Sequence, residues 1–173
     1  PETMTATGKA ATGHRPHGVV LSPDGKTAYV ANYGDGPSPG NSLSVIDIAT
    51  AKELRRVDLS PLIRPHGIQM ISGRVYFTAE SSRMIARYDP ATNKVDWMMG
   101  TGQNGSHMIA GSADQKKCVT ANIGSDSVTI FEFQGVPPAG SKITHVGVGK
   151  QPEAIDLSPD GKEAWAGLNA EGM

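Results

Sequence analysis

Short runs of alternating apolar and polar residues, separated by turn residues, make up most of the chain. The first group of runs covers residues 18–21, 27–32, 42–47 and 53–58, and a Ser-Pro-Asp-Gly turn at residues 22–25 separates the first two. Proline presets the backbone of such a turn, and glycine accepts its positive φ. Alternation with a period of two predicts β-strands, and helix-period patterning is absent. The sequence therefore predicts an all-β protein.

The same group of strands repeats along the chain, and each repeat opens on a related motif. The motif reads RPHGV at residues 15–19, RPHGI at 64–68, GSHMI at 105–109 and QPEAI at 151–155. Its third positions, 41 to 49 residues apart, are His17, His66, His107 and Glu153. Repeats of this length that contain four short strands are typical of propeller blades. We predict a β-propeller of about four four-stranded blades, a single domain over residues 1–173, with blades beginning near residues 17, 66, 107 and 153.

The two ends of the pattern leave the ring arrangement open. The fourth repeat stops at residues 169–173, after its second strand, so the last blade is predicted to be incomplete. Residues 1–13 are predicted to form an outer strand of a preceding or closing blade. Because unpaired strand edges invite pairing, three arrangements are consistent with the sequence. The chain is part of a longer propeller, it completes a ring with a second copy or another chain, or its first strand closes a four-bladed ring.

Composition and charge exclude several classes of function. The formal net charge is -1, and no cluster of Lys and Arg provides the positive groove that nucleic acid requires. No apolar run approaches the roughly 20 residues needed to span a bilayer. The single cysteine, Cys118, excludes an internal disulfide and lies in a strand-like run, which indicates a buried, inert thiol.

Two repeats carry a recognisable family pattern. Residues 22–32 (SPDGKTAYVAN), followed by residues 42–50 (SLSVIDIAT), resemble the YVTN-type β-propeller repeat, which is related to surface-layer-like and lactonase-like propellers. Residues 73–80 (GRVYFTAE) and 85–89 (IARYD) are similar to streptogramin-lyase and gluconolactonase-like propellers. The resemblance covers essentially the whole chain and implies a propeller fold. We also expect a periplasmic or secreted protein, although no signal peptide is visible in this chain.

The varying position of the repeated motif is the main candidate site. In a propeller the first strand of each blade lines the central channel, so His17, His66, His107 and Glu153 are predicted to form a ring at its mouth. Three imidazoles and a carboxylate are suitable ligands for Zn, Mn, Fe or Cu. Lyase-like and lactonase-like propellers resemble this arrangement, often with a divalent metal. A structural lining, in which each imidazole bonds to the backbone of a neighbouring blade, is the competing interpretation.

Two functions remain open at this stage. The first is a non-catalytic binding or assembly module that engages a small polar ligand, a protein partner or a second copy completing the propeller, with residues 35–41 as a contact loop. The alternative is a divalent-metal-assisted lyase or lactonase at the channel mouth, with His66 and Glu80 as candidate catalytic residues. A wider polar set is predicted to share that face after the second strands: Asn32, Glu80, Asn122 and Asn169.

Overall fold

The computed structural model describes residues 5–135 and 140–172, which form fourteen strands and one 3₁₀ helix. Blade 1 contains β1 (Pro16–Leu21), β2 (Thr27–Gly34), β3 (Pro39–Asp47) and β4 (Lys52–Asp58). Blade 2 contains β5 (Pro65–Ile71), β6 (Arg74–Ala79), β7 (Met84–Asp89) and β8 (Lys94–Gly100). Blade 3 contains β9 (Ser106–Gly111), β10 (Lys117–Asn122), β11 (Ser127–Phe133) and β12 (Ser141–Gly147). Blade 4 contains β13 (Pro152–Leu157) and β14 (Ala164–Leu168), followed by the 3₁₀ helix Asn169–Glu171.

The blades are antiparallel sheets whose strands follow one another in chain order. The first strands of the four blades, β1, β5, β9 and β13, pack side by side in that order. Apolar side chains fill the space between consecutive blades: Leu43 and Tyr29 of blade 1 share a core with Phe77 and Tyr88 of blade 2. The prediction of an all-β propeller with an incomplete last blade is confirmed.

The Ser-Pro-Asp-Gly turns form as the sequence predicts. The Gly25 amide donates to the Ser22 carbonyl at 2.9 Å, and Gly25 has a φ of +69°. Blade 3 keeps the same turn although Gln115 replaces glycine, and Gln115 has a φ of +59°. The side chain of Ser112 bonds to Asp114 as Ser22 bonds to Asp24, so the turns with and without glycine share the same side-chain hydrogen bond.

The same backbone conformation precedes the first strand of every blade. The residue two positions before the ring position is left-handed in all four blades, with φ values between 45° and 63°: Arg15, Arg64, Gly105 and Gln151. Its carbonyl accepts a hydrogen bond from a backbone amide at or just after the end of the second strand, namely that of Tyr33, Glu80, Ile123 or Asn169. In each blade the pairing between the first two strands contains a register shift beside the ring position. A bulge of this kind re-aims a side chain, here towards the propeller axis.

The two chain ends differ from the sequence-based expectation in one respect. The predicted outer strand over residues 1–13 falls partly on residues 1–4, which lie outside the described residues, and residues 5–12 are not assigned to a strand. Within the described residues, the sheet of blade 4 contains β13 and β14 alone, so the first segment does not complete it. A strand that belongs to a preceding blade stays a prediction. No helix in the described part of the chain is long and apolar enough for a bilayer.

Candidate functional site

Three of the four ring residues form a stack of imidazoles. The ring centroids of His17 and His66 are 3.7 Å apart, and those of His66 and His107 are 3.8 Å apart. The outer pair, His17 and His107, is separated by 6.5 Å. The stack follows from the side-by-side packing of β1, β5 and β9, since each strand contributes one histidine at the same height. His66 lies in the middle and is only 3% exposed.

The glycine after the ring histidine permits this close packing. A Cβ on Gly67 would lie 2.6 Å from the His107 carbonyl oxygen, and one on Gly18 would lie 2.5 Å from the His66 carbonyl oxygen. Thr78 joins the same strands, because its hydroxyl accepts from the Gly67 amide at 2.9 Å and donates to the His107 carbonyl at 2.6 Å. The Pro-His-Gly motif thus combines a ring side chain with the space that the neighbouring blade requires.

Glu80 adds a carboxylate to the stack. It follows β6, and its Oε2 lies 3.1 Å from Nδ1 of His107. His66, Glu80 and His107 each offer one ligand atom, and these atoms all lie within 4.8 Å of one another. Glu153 lies farther out, with Oε1 3.7 Å from Nε2 of His107 and a side chain that is 48% exposed. We call His17, His66, Glu80, His107 and Glu153 the channel-mouth cluster.

The protonation states of the cluster suit a metal ion. Burial, together with the neighbouring His107 and His17 imidazoles, lowers the pKa of His66 to about 3. Burial alone would raise the pKa of Glu80, but hydrogen bonds from His107 and Tyr33 outweigh it and the pKa is lowered. At neutral pH His66 is therefore neutral and Glu80 is ionised, which are the forms that bind metals.

One polar atom of the cluster has no partner. Among the described residues, Nδ1 of His66 is the one buried side-chain nitrogen or oxygen without a hydrogen bond. Leaving a buried polar atom unsatisfied is costly, so such atoms call for an explanation. A metal ion bound through this nitrogen would provide the missing partner. The donor set and this orphaned nitrogen both fit a divalent metal.

Tyr33 and Arg64 belong to the site but were not identified from the sequence. The Tyr33 hydroxyl donates to Oε1 of Glu80 at 2.9 Å, and Nη1 of Arg64 donates to the Tyr33 hydroxyl at 3.1 Å. The Arg64 guanidinium also lies 5.1 Å from the centre of the Tyr33 ring, and its Nη2 donates to the Asp35 carbonyl at 3.0 Å. Tyr33 and Glu80 make the same amide-to-carbonyl bond, to Arg15 and to Arg64, which marks Tyr33 as the blade 1 equivalent of Glu80.

This equivalence corrects the predicted polar set. Asn32 and Asn122 lie one residue earlier than the positions that match Glu80 and Asn169, as their pairing with Pro16 and Ser106 shows. Successive strand residues point to opposite faces, so both asparagines face away from the channel mouth. They are buried, and their side-chain amides bond to hydroxyls of the third strand: Ser42 and Ser44 for Asn32, Ser127 and Thr129 for Asn122.

A cavity of about 520 Å³ opens beside the cluster. The three histidines and Glu153 line it, together with residues that include Met108, Leu168 and Asn169. Its wall therefore combines imidazole and carboxylate groups with apolar surface. Such a mixture suits a small organic ligand with one polar end.

Comparison with known proteins identifies the fold. No protein-family model matches the sequence, and no curated protein matches it significantly. Hydrazine synthase of Kuenenia stuttgartiensis is similar in structure, with a TM-score of 0.78, 21% identity, and coverage of 94% of this chain and 46% of that chain. A proposed 6-phosphogluconolactonase of Bacteroides fragilis gives a TM-score of 0.70 at 16% identity over 90% of this chain and 48% of its own.

A chain from the mitotic checkpoint complex is similar at a comparable level. Its TM-score is 0.71 at 13% identity, with 90% of this chain and 48% of that chain covered. The chain described here spans about half the length of each of these three structures. At such low identity the similarity establishes the architecture alone. The protein has a β-propeller fold.

Proposed function

We propose that the protein is a β-propeller module that binds a divalent metal ion at its channel mouth and, through the ion, a small polar ligand. His66, Glu80 and His107 would hold the ion, and His17 and Glu153 would flank it. The observation that carries the proposal is the convergence of three ligand atoms within 4.8 Å, one of them on a buried histidine that has an unpartnered nitrogen.

The donor set favours a late first-row metal. Two imidazoles and one carboxylate suit Zn²⁺, Cu²⁺ or Ni²⁺, whereas Mg²⁺ and Ca²⁺ prefer sites made of oxygen ligands. His17 stacks on His66 and Glu153 lies beside His107, so further ligands available nearby are again imidazole and carboxylate. We expect zinc to bind in preference to magnesium.

The cavity supports a catalytic extension of this proposal, namely a lyase or lactonase. A bound divalent ion supplies Lewis acidity towards a substrate carbonyl. His17 is exposed, lines the cavity and lies outside the set of three ligands, so it is free to accept a proton from a ligand in the cavity. The three-ligand set also leaves coordination positions for substrate oxygen, as catalytic metal sites require.

The test of the metal site is a measurement of bound zinc by elemental analysis after dialysis and by calorimetric titration. We expect about one zinc ion per chain for the wild type and loss of that ion in His66→Ala. His145→Ala is the matched control, because His145 bonds to Thr129 in blade 3, away from the cluster. A wild-type protein that binds no zinc, or a His66→Ala variant that binds it equally well, contradicts the proposal.

A specific observation favours an assembly role as well. Positions that are buried in the inner blades are exposed on the outer faces of the end blades. Val19 is 58% exposed, whereas its equivalents Ile68 and Ile109 are 9% and 5% exposed. In those equivalents a neighbouring blade covers the side chain. The outer face of blade 1 therefore exposes an apolar side chain of the kind that a neighbouring blade covers elsewhere in the fold.

The outer face of blade 4 shows the same mismatch. Trp165 is 68% exposed, whereas its equivalents Tyr29, Tyr76 and Val119 are 5%, 1% and 1% exposed. We propose that blades of a protein partner or of a second copy cover these two faces. The chain spans about half of the similar structures, so a second copy would add a comparable set of blades. Light scattering after size exclusion should give twice the mass of one chain, and a stable monomer contradicts self-assembly.

A further inference from the structure

We infer that Tyr33, held by Arg64, is the positioning residue that fixes the Glu80 carboxylate for metal binding. The inference rests on the proposed metal site and adds two residues to it. Neither residue is a ligand, and both act through Glu80. The geometry assigns them this role because the only side chains bonded to Glu80 in the described structure are Tyr33 and His107.

The two oxygens of Glu80 have separate partners. Tyr33 donates to Oε1 at 2.9 Å, and Oε2 lies 3.1 Å from Nδ1 of His107. A carboxylate held at one oxygen can no longer rotate freely, and Oε2 is the atom left facing the histidines. The Tyr33 bond thus selects which oxygen is presented as a ligand.

Arg64 supports the hydrogen bond between Tyr33 and Glu80. Its Nη1 donates to the Tyr33 oxygen, so the tyrosine proton is directed away from Arg64 and towards Glu80. Successive hydrogen bonds of this kind polarise one another.

Tyr33 also contacts a second ligand. Its ring meets the His66 ring edge-on, with centroids 5.1 Å apart and an interplanar angle of 84°. Tyr33 comes from blade 1, His66 and Glu80 come from blade 2, and His107 comes from blade 3. The tyrosine thereby ties the first blade to ligands on the next, which is the arrangement expected of a residue that preorganises a site.

Tyr33→Phe tests the role because it removes the hydroxyl and keeps the ring. We expect zinc affinity to fall by about 10- to 100-fold, the usual loss when a residue that orients a ligand is mutated. Arg64→Met should weaken binding less, because Tyr33 can still donate to Glu80. Tyr76→Phe is the matched control: the Tyr76 hydroxyl likewise accepts from an arginine (Arg87) and donates to a side-chain oxygen (Gln115), but outside the cluster.

The visible spectrum of bound Co²⁺ is the second measurement, since d–d bands report ligand geometry and not protein stability. We expect the bands to change in Tyr33→Phe and to remain unchanged in Tyr76→Phe. Wild-type zinc binding together with an unaltered affinity and Co²⁺ spectrum in Tyr33→Phe overturns this inference and leaves the metal site standing. Absence of wild-type binding overturns the metal site itself. If Tyr33→Phe does not fold, Arg64→Met decides by the same two measurements.

Discussion

His66 is the residue on which the site depends most directly. Its imidazole lies between two others, it is almost fully buried, and one of its nitrogens has no hydrogen-bond partner. Burial and two adjacent imidazoles make its protonation unfavourable, so the pKa falls to about 3. In the unfolded chain the same group titrates at its ordinary value of 6.5. The difference links the stability of the metal-free protein to pH.

We predict that the metal-free protein loses stability as the pH falls below 6.5. The unfolded state takes up a proton on His66 there and the folded state does not, so the free energy of unfolding decreases, by about 2 kcal/mol at pH 5. Glu80 cannot cause this loss, because its ordinary pKa of 4.5 lies below the window. Urea titrations at pH 7 and pH 5 measure the change. His66→Gln should reduce the dependence, whereas an unchanged slope would show that His66 titrates normally.

Cys118, in contrast to His66, is a titratable residue with a purely structural role. The prediction of a buried thiol is confirmed: Cys118 is 1% exposed, and burial raises its pKa to about 12. We expect the thiol to react with a disulfide reagent only as fast as the protein unfolds, because the thiolate is the reactive form. The labelling rate, followed by absorbance with and without urea, checks this. Fast labelling of the native protein would contradict the buried position.

At the scale of elements, the distance between neighbouring inner strands sets the geometry of the site. β5 and β9 approach so closely at Gly67 that no side chain fits between them. We predict that Gly67→Ala separates these strands, destabilises the protein by about 1–3 kcal/mol and weakens zinc binding.

Gly100→Ala is the control for this effect. Gly100 ends β8, has no atom within 4 Å of a Cβ placed on it, and has no positive φ. Thermal unfolding and zinc titration of both variants compare the two positions. Equal stability and zinc affinity in Gly67→Ala and Gly100→Ala would show that the close approach of β5 and β9 does not control the site.

The elements also show how far the sequence predicts the structure. Turn residues and alternating strands are local signals, so the blades and the ring position of His17, His66 and His107 could be predicted from the repeat. Tyr33 could not, because its role depends on Arg64 and Glu80, which lie 31 and 47 residues away along the chain. The one-residue error at Asn32 arose from matching polar residue types at the strand ends: strand pairing places Asn32 opposite Pro16, and in blade 2 Ala79, the residue before Glu80, lies opposite Pro65.

At the scale of the whole molecule, the blades form an arc whose two outer faces are apolar. Trp165 stands on one face and Val19 and Leu21 stand on the other. We predict that Trp165→Asp abolishes self-association, because burial of a carboxylate between blades is unfavourable. Light scattering of this variant beside the wild type makes the comparison, and Met98→Asp, on the exposed outer strand β8 of the inner blade 2, is the control. Equal masses for Trp165→Asp and an associated wild type would place the interface elsewhere.

His66 and Glu80 of blade 2 and His107 of blade 3 are proposed to bind one metal ion at the channel mouth. Anomalous diffraction at the zinc absorption edge, from crystals grown with zinc, tests it most directly. We predict an anomalous peak about 2.0–2.2 Å from one nitrogen of each histidine and from an oxygen of Glu80. A channel mouth without a peak, or zinc found only at a surface pair such as His14 and Asp35, would contradict it.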